Sequence, residues 1–414
     1  MIKKLSSDNL IILKNLSFLS VLRFFNLGVK FLLVAYLIRV LGKINYGVLT
    51  WVDSIIQYFI ILINFGFNVY AAKYIVDNRE SKKDLNNITS AIFLVKIFLF
   101  ILSFLLLYFL SFLDTFSIYK DYLFLMLMIG IGEVFFPIWY FQGVEKLKLA
   151  TYITVLSRLV LVFGTFLLVN HPEDLKIHIY LIIFSSFLMG ILGYLTLIRK
   201  FSFTFVWVEK KAIANLLKEA YMFFLARFLS LTFNFMTIFL IGIFYTMDYV
   251  SGFDIALKIV LVCIIPFDML QQAVFPTITR NKDKSLLKKI IFLSILFGVF
   301  LSIVLFFFSE ELLLLFGGNE ILEYDNVLKT LSIIPPFVAL TFTLGTCTLV
   351  AFGFNKEFNK SLIISSLIYI FIVLILYLLD NLSFWNLVYL RVFSDIILAL
   401  IRVYFVYKKR IFLD

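Results

Sequence analysis

Apolar runs of about twenty residues recur along the whole chain, and short polar stretches close each of them. A run of that length is what an α-helix needs to cross a hydrocarbon layer roughly 30 Å thick. Helices satisfy their own backbone groups there, which is why they can span it. The pattern predicts twelve spans: Leu16–Ile38, Val48–Val76, Ile88–Phe112, Tyr122–Phe141, Leu149–Val169, Ile177–Ile198, Tyr221–Phe244, Val250–Ile278, Ile290–Phe308, Val327–Phe352, Leu362–Leu379 and Leu382–Tyr407. The long ones, Val48–Val76 and Val250–Ile278, are expected to tilt or bend, the second at Pro266. Between the sixth and seventh spans, FTFVWVEKKAIANLLKEA mixes aromatics with lysines and predicts a short helix lying on the membrane surface.

Polar positions inside the runs are the informative ones. Arg23, Asn26 and Lys30 follow i+3 and i+7 spacing and share one helix face. A basic residue at mid-span costs roughly 2.5–3.5 kcal/mol. Arg23 and Lys30 therefore either line a water-filled, anion-attracting cavity or snorkel to opposite surfaces. Their separation is roughly 10 Å of helix rise, which favours the cavity. Lys96, Arg158 and Arg227 also fall inside spans with no acid one turn away, whereas Asp254–Lys258 and Arg391–Asp395 are i,i+4 neighbours that can pair. Arg402 lies near a span end and reads as a snorkelling residue. On the second span Asp53, Gln57, Asn64 and Asn68 share a face, read equally as cavity lining or as interhelical hydrogen bonding. Glu133, before Pro137, and Asp268, after Pro266, sit beside expected helix breaks, where freed carbonyls could help hold a cation. They are the candidates for coupling to H+ or Na+; no other cofactor is implied.

Composition agrees with this pattern. The 414 residues are 63% hydrophobic and 15% charged, with mean hydropathy +1.04 and a net charge of +11. The positive charge is scattered through short loops, so it does not imply nucleic acid. Twenty-four basic residues fall in the N-terminus and every second loop, against five in the others. That asymmetry places both termini in the cytoplasm. No small-residue cleavage site follows the first run, so the first helix is expected to remain. Cys263 and Cys347 lie within spans and predict neither disulfide nor metal site. His171 and His178 flank one loop and read as ordinary surface residues.

The chain also looks duplicated. Arg227, Ser230 and Asn234 overlay Arg23, Asn26 and Lys30 at an offset of 204 residues. Tyr46-Gly47 overlays Ser251-Gly252, and Gly143 overlays Gly353, at offsets of 205 and 210. The expected fold is an all-α polytopic membrane protein of two six-helix lobes, related as parallel repeats around a central cavity. The boundaries are 1–200 for the first lobe, 201–219 for a cytoplasmic linker and 220–414 for the second lobe. There is no G-x-x-x-x-G-K-[ST], no D-x-D pair and no loop large enough for a catalytic domain, so the chain lacks an enzyme's apparatus. Gly317-Gly318, in the longest external loop, reads as a turn.

NLSFLSVLRFFNLGVKFLLVAYLIRVLGKINYG, INFGFNVYAAKYIV, PIWYFQGVEK, LLKEAYMFFLARFLSLTFNFMTIFLIG and QQAVFPTITR appear in an order that resembles Wzx-type polysaccharide repeat-unit flippases. The resemblance runs from about Leu10 to Lys409. That family shares a superfamily with multidrug and toxin extrusion transporters and with the lipid II flippase, whose two extra helices find no room here. The resemblance implies alternating access in the bacterial inner membrane. Its cargo would be an undecaprenyl-pyrophosphate-linked oligosaccharide for O-antigen, lipopolysaccharide or capsule, moved to the periplasmic leaflet, with membrane lipids and other polysaccharide assembly proteins as partners. Pyrophosphate suits Arg and Lys: Arg23, Lys30 and Arg227 foremost, Arg158 and Lys96 next. Asn26, Asp53, Gln57, Asn64, Asn68, Ser230 and Asn234 would line the cavity. The alternatives are a cation-coupled drug antiporter of the same superfamily, or a non-transporting scaffold of polysaccharide assembly.

Overall fold

The computed structural model describes residues 7–231 and 235–412, with side chains from residue 32 onward. The side chains of Arg23, Asn26 and Lys30, and all of Asn234, lie outside the described residues. Helices account for nearly everything described, and no strand occurs among these residues. The first half runs α1 (Ser7–Asn64), α2 (Phe67–Asp77), α3 (Lys82–Leu110), α4 (Asp114–Ile118), α5 (Lys120–Leu127), α6 (Ile129–Phe135), α7 (Ile138–Gly143), α8 (Leu147–Leu168) and α9 (Leu175–Phe201). The second runs α10 (Lys210–Ser230), α11 (Thr237–Phe244), α12 (Met247–Cys263), α13 (Ile265–Asn281), α14 (Lys284–Phe307), α15 (Ser309–Gly317), α16 (Asp325–Leu331), α17 (Ile334–Phe342), α18 (Asn355–Leu378) and α19 (Phe384–Lys408).

Among the described residues nine helical segments are long and apolar enough to cross a membrane, or ten if the bent pair Asn319–Leu331 and Ile334–Val350, at 47°, is one span. The difference from twelve has local causes. Most of the first expected span precedes Leu32, where the first of these segments begins; its helix runs on into the second with a turn at Gly42, whose φ of 73° and ψ of 165° suit glycine, and ends at Asn64, before the further break at Phe65-Gly66. The seventh is divided between α10 and α11. The expected surface helix is the first part of α10, which continues without interruption into that span.

Three of the breaks fall at proline or at left-handed backbone. Phe136-Pro137 separates α6 from α7, and α13 begins one residue before Pro266. Phe65 and Gly66, with φ of 38° and 75°, separate α1 from α2. The side chains of Ser81, Asp283 and Ser383 accept backbone N–H groups of Asp84, Leu286 and Asn386, and so start α3, α14 and α19. Such caps contribute roughly 1 kcal/mol each. The expected loop after the ninth span is helical: α15 fills it, and Gly318, at φ 75°, ends that helix.

Among the described residues two large apolar cores stand out, beside two small clusters in the second half around Leu349 and Phe405 and around Ile278 and Leu287. One lies within the first half, around Phe67, Phe93, Trp139, Phe141 and Phe203. The larger joins the halves, with Trp51, Ile55 and Ile56 of α1 among Val250, Phe253 and Leu257 of α12.

Candidate functional site

The halves meet along a seam between α1 and α12. Small residues permit the approach. A Cβ on Gly47 would lie 1.9 Å from the Met247 carbonyl oxygen, and one on Gly242 would lie 2.0 Å from Trp51 Cδ1. Trp51 Nε1 donates to the Phe239 carbonyl at 3.1 Å. Next to Gly47, the Tyr46 hydroxyl donates to Asp254 Oδ2 at 2.7 Å. Lys258 donates to the same oxygen at 2.6 Å and to the Tyr46 oxygen at 2.8 Å.

The seam continues to the end of the molecule that holds Arg39. Its guanidinium donates to the carbonyls of Leu314 and Leu315, at 3.2 and 2.6 Å, near the carboxyl end of α15. A cation suits that end of a helix. The Lys43 N–H, next to the break at Gly42, donates to Glu320 Oε2 at 3.3 Å, while its ammonium pairs with Glu323 at 2.6 Å.

Toward the opposite end the half-spans keep mostly to their own halves. The element α2 packs on α3 and α7, and α13 packs on α12, α17 and the π-helical turn Thr343–Val350. The exception is α10, which packs on α1, α2, α3 and α18; Phe65 stacks on Phe224 with ring centroids 4.7 Å apart. In α13 the polar Gln272, Thr279 and Arg280 are exposed. At this end Arg79 pairs with Glu145 at 2.6 Å and holds that carboxyl below its usual range, chiefly by the hydrogen bond.

The sequence-predicted residues fall into separate settings. Arg227 and Arg158 are exposed, and no acid pairs with either among the described residues. Ser230 turns its hydroxyl to the Arg227 carbonyl, at 2.8 Å. The shared face expected for Asp53, Gln57, Asn64 and Asn68 is not continuous, because the break at Phe65-Gly66 resets the helical phase. Gln57 donates to Asp53 at 2.9 Å, Asn64 donates to Glu133 Oε2 at 3.1 Å, and Asn68 Oδ1 is buried without a hydrogen bond. Asp268 is half-buried on α13.

Lys96 is fully buried within the first half. Its ammonium donates to the Glu133 carbonyl and lies 4.6 Å from the centroid of the Trp139 ring. That carbonyl is free because its partner four residues on is Pro137, which has no N–H. Lys96 thus has no exposed surface to offer a cargo.

Two further readings need correction. Arg402 does not snorkel: it is 4% exposed, donates to Ser361 Oγ at 3.2 Å and to the Thr341 carbonyl, and stacks over Phe358. His178 is buried rather than on the surface, with Nδ1 3.1 Å from Thr165 Oγ1. The local pairs Asp254–Lys258 and Arg391–Asp395 both form. What sequence reasoning missed is Tyr46. The only signal was the Tyr46-Gly47 and Ser251-Gly252 overlay, whose glycines are both close-approach points: a Cβ on Gly252 would meet the Tyr324 ring at 2.2 Å.

A family model described as "Polysaccharide biosynthesis protein" matches residues 12–282. A relative in Escherichia coli (strain K12), named as a candidate O-antigen transporter, is 24% identical over 89% of this chain and 91% of its own. One of the same name in Shigella dysenteriae is 25% identical over 94% and 98%. Among solved structures, the fold is similar to that of an inward-facing multidrug resistance transporter of the MATE family in the MOP superfamily. The TM-score is 0.75 and the identity 13%, over 93% of this chain and 94% of that one. It is likewise similar to the lipid II flippase MurJ in an inward closed conformation, with TM-score 0.76 and 15% identity over 94% and 87%.

Proposed function

Since the chain belongs to the polysaccharide biosynthesis protein family, we propose that it is a flippase for lipid-linked oligosaccharide repeat units in the bacterial cytoplasmic membrane. The cargo is an undecaprenyl-pyrophosphate-linked unit, taken from the cytoplasmic leaflet and released at the periplasmic one. The two halves rock about the seam, and the lysine-rich loops face the cytoplasm, as their charge asymmetry requires. Arg227 and Arg158, with Arg23 and Lys30, attract the pyrophosphate. The glycan follows through a wet interior while the lipid tail stays in the bilayer.

The observation that carries this reading is the sealed seam at one end of the molecule, set against half-spans α2 and α13 that pack largely within their own halves at the other. An alternating-access carrier needs that asymmetry. The names of the relatives and of the flippase neighbour point to the same cargo class. The charge pattern supports an anionic cargo over a cationic drug. Asp254 and Asp395 are paired with bases, Asp53 is held by Gln57 and Glu133 by Asn64, whereas Arg158 and Arg227 face no acid among the described residues.

The test is a strain lacking the protein but with an active glycan pathway and no redundant flippase. Single lipid-linked repeat units should accumulate on the cytoplasmic leaflet. Wild type should relieve this, and Arg23→Ala with Arg227→Ala, at normal membrane levels, should not. Relief by both would remove the basic site and keep the flippase. No accumulation would remove the flippase.

A further inference from the structure

Between α9 and α10 the chain is non-helical from 202 to 209 and is strapped onto α3. Ser202, at φ 51°, turns it out of α9. Phe203 then goes inward, with its ring centroid 5.8 Å from that of Phe93 and 6.4 Å from that of Tyr194. Asn86 Nδ2 donates to Thr204 Oγ1 at 2.6 Å, and the Thr204 N–H donates back to Asn86 Oδ1 at 3.4 Å. One turn along α3, the buried Ser90 hydroxyl accepts the Val206 N–H at 3.1 Å. The strap therefore lies roughly 6 to 12 Å of helix rise from Lys82, where α3 begins. Two side chains are left facing outward: Phe205 is 46% exposed and Trp207 86%, with ring centroids 5.6 Å apart.

The level of the strap follows from its neighbours. The crossing segment Lys82–Leu110 begins there and Pro172–Phe201 ends there, so Phe205 and Trp207 stand where hydrocarbon gives way to water. An indole, apolar in body and polar at its N–H, suits that level. Arg199, Lys200, Lys210 and Lys211 flank the strap, and Lys82 and Lys83 precede Asn86 on α3. All six are exposed, and none is in an ion pair among the described residues. The acids of the same stretches are Glu80, Asp84 and Glu209, which leaves an excess of positive charge. Exposed aromatics ringed by unpaired bases complement a bilayer surface rich in anionic headgroups.

We propose that the strap is a headgroup site for anionic phospholipid. Phe205 and Trp207 enter the leaflet boundary, and Arg199, Lys200, Lys210 and Lys211 hold the lipid phosphates. Its bonds to Asn86 and Ser90 and the inward Phe203 fasten the site to the first half, so it travels with that half. The anchor is the non-helical strap, not the helix that follows it. The inference rests on this placement and on no assumption about the cargo.

The experiment places the full chain in nanodiscs of equimolar phosphatidylcholine and phosphatidylglycerol, with bromine on the acyl chains of one lipid or the other. Bromine quenches a nearby indole, and the Trp207 signal is the difference between wild type and Trp207→Phe. Both bromolipids should quench it, phosphatidylglycerol about threefold more strongly. High salt should draw the two together. Arg199→Gln, Lys200→Gln, Lys210→Gln and Lys211→Gln combined should abolish the preference and leave the quenching. Equal quenching of wild type by both lipids overturns the headgroup site, and so does a preference unchanged in the combined variant. No quenching by either lipid overturns the bilayer placement and assigns the exposed strap to a protein partner.

Discussion

Tyr46 and Asp254, one from each half of the chain, share a 2.7 Å hydrogen bond at a place where both are buried. Lys258 closes the triangle with bonds of 2.6 and 2.8 Å. The halves are therefore joined by a neutralised charge as well as by apolar contact. Any motion that parts them must break this triangle.

Removing one corner of it tests the arrangement. Tyr46→Phe leaves Asp254 paired with Lys258 and should cost about 1–3 kcal/mol. Lys258→Met leaves a buried carboxylate unbalanced and should cost about 3–5 kcal/mol. Chemical or thermal unfolding in detergent gives the order. If Lys258→Met proves the milder change, the triangle is not what holds the charge.

Gly47→Ala addresses the seam directly, since the new methyl would meet the Met247 carbonyl oxygen at 1.9 Å. Backbone cannot yield as a side-chain tip does, so the halves must separate locally. A cysteine placed at Thr50, in a background without Cys263 and Cys347, reports on this. Impermeant maleimide should label it faster in the alanine variant, and unchanged labelling would mean that α1 and α12 do not approach as described.

The pair Arg391–Asp395 is buried in α19. Asp395→Leu alone should destabilise by about 3–5 kcal/mol, and Arg391→Met with Asp395→Leu should recover most of that. The comparison is a double-mutant cycle on unfolding midpoints. Additive losses would show that the two charges do not act as a unit.

Gly345→Ala acts through a neighbour. Its methyl would fall 2.4 Å from Arg402 Nη1, which bonds the Thr341 carbonyl in the bent tenth span. The π-helical turn Thr343–Val350 shifts the backbone bonding there, and Arg402 serves the carbonyl. Displacing the guanidinium should cost about 1–3 kcal/mol. Gly345→Ala on top of Arg402→Met should then add little, and a full additive loss would uncouple the two.

Much of this architecture is legible in one dimension because lipid enforces it. Apolar runs of crossing length mark the spans, Pro137 and Pro266 mark breaks, and i,i+4 spacing marks Asp254–Lys258 and Arg391–Asp395. What stays hidden is whatever a side chain does at long range with a backbone group. Lys96 and Arg402 looked like free cations because their partners are the carbonyls of Glu133 and Thr341, and every residue owns a carbonyl. Asn64 and Asn68 looked aligned because a helical wheel assumes an unbroken helix, and Phe65-Gly66 breaks it.

Gly42 has a mechanical consequence. The first and second crossings share one helical run, with a single non-helical residue as the joint and no slack loop to absorb displacement. The residue after the joint is pinned to Glu320 of the other half. The arrangement works as a bell-crank: a push on either arm is delivered to the other about a fixed pivot. The stiffness of one glycine sets how faithfully the two arms move together.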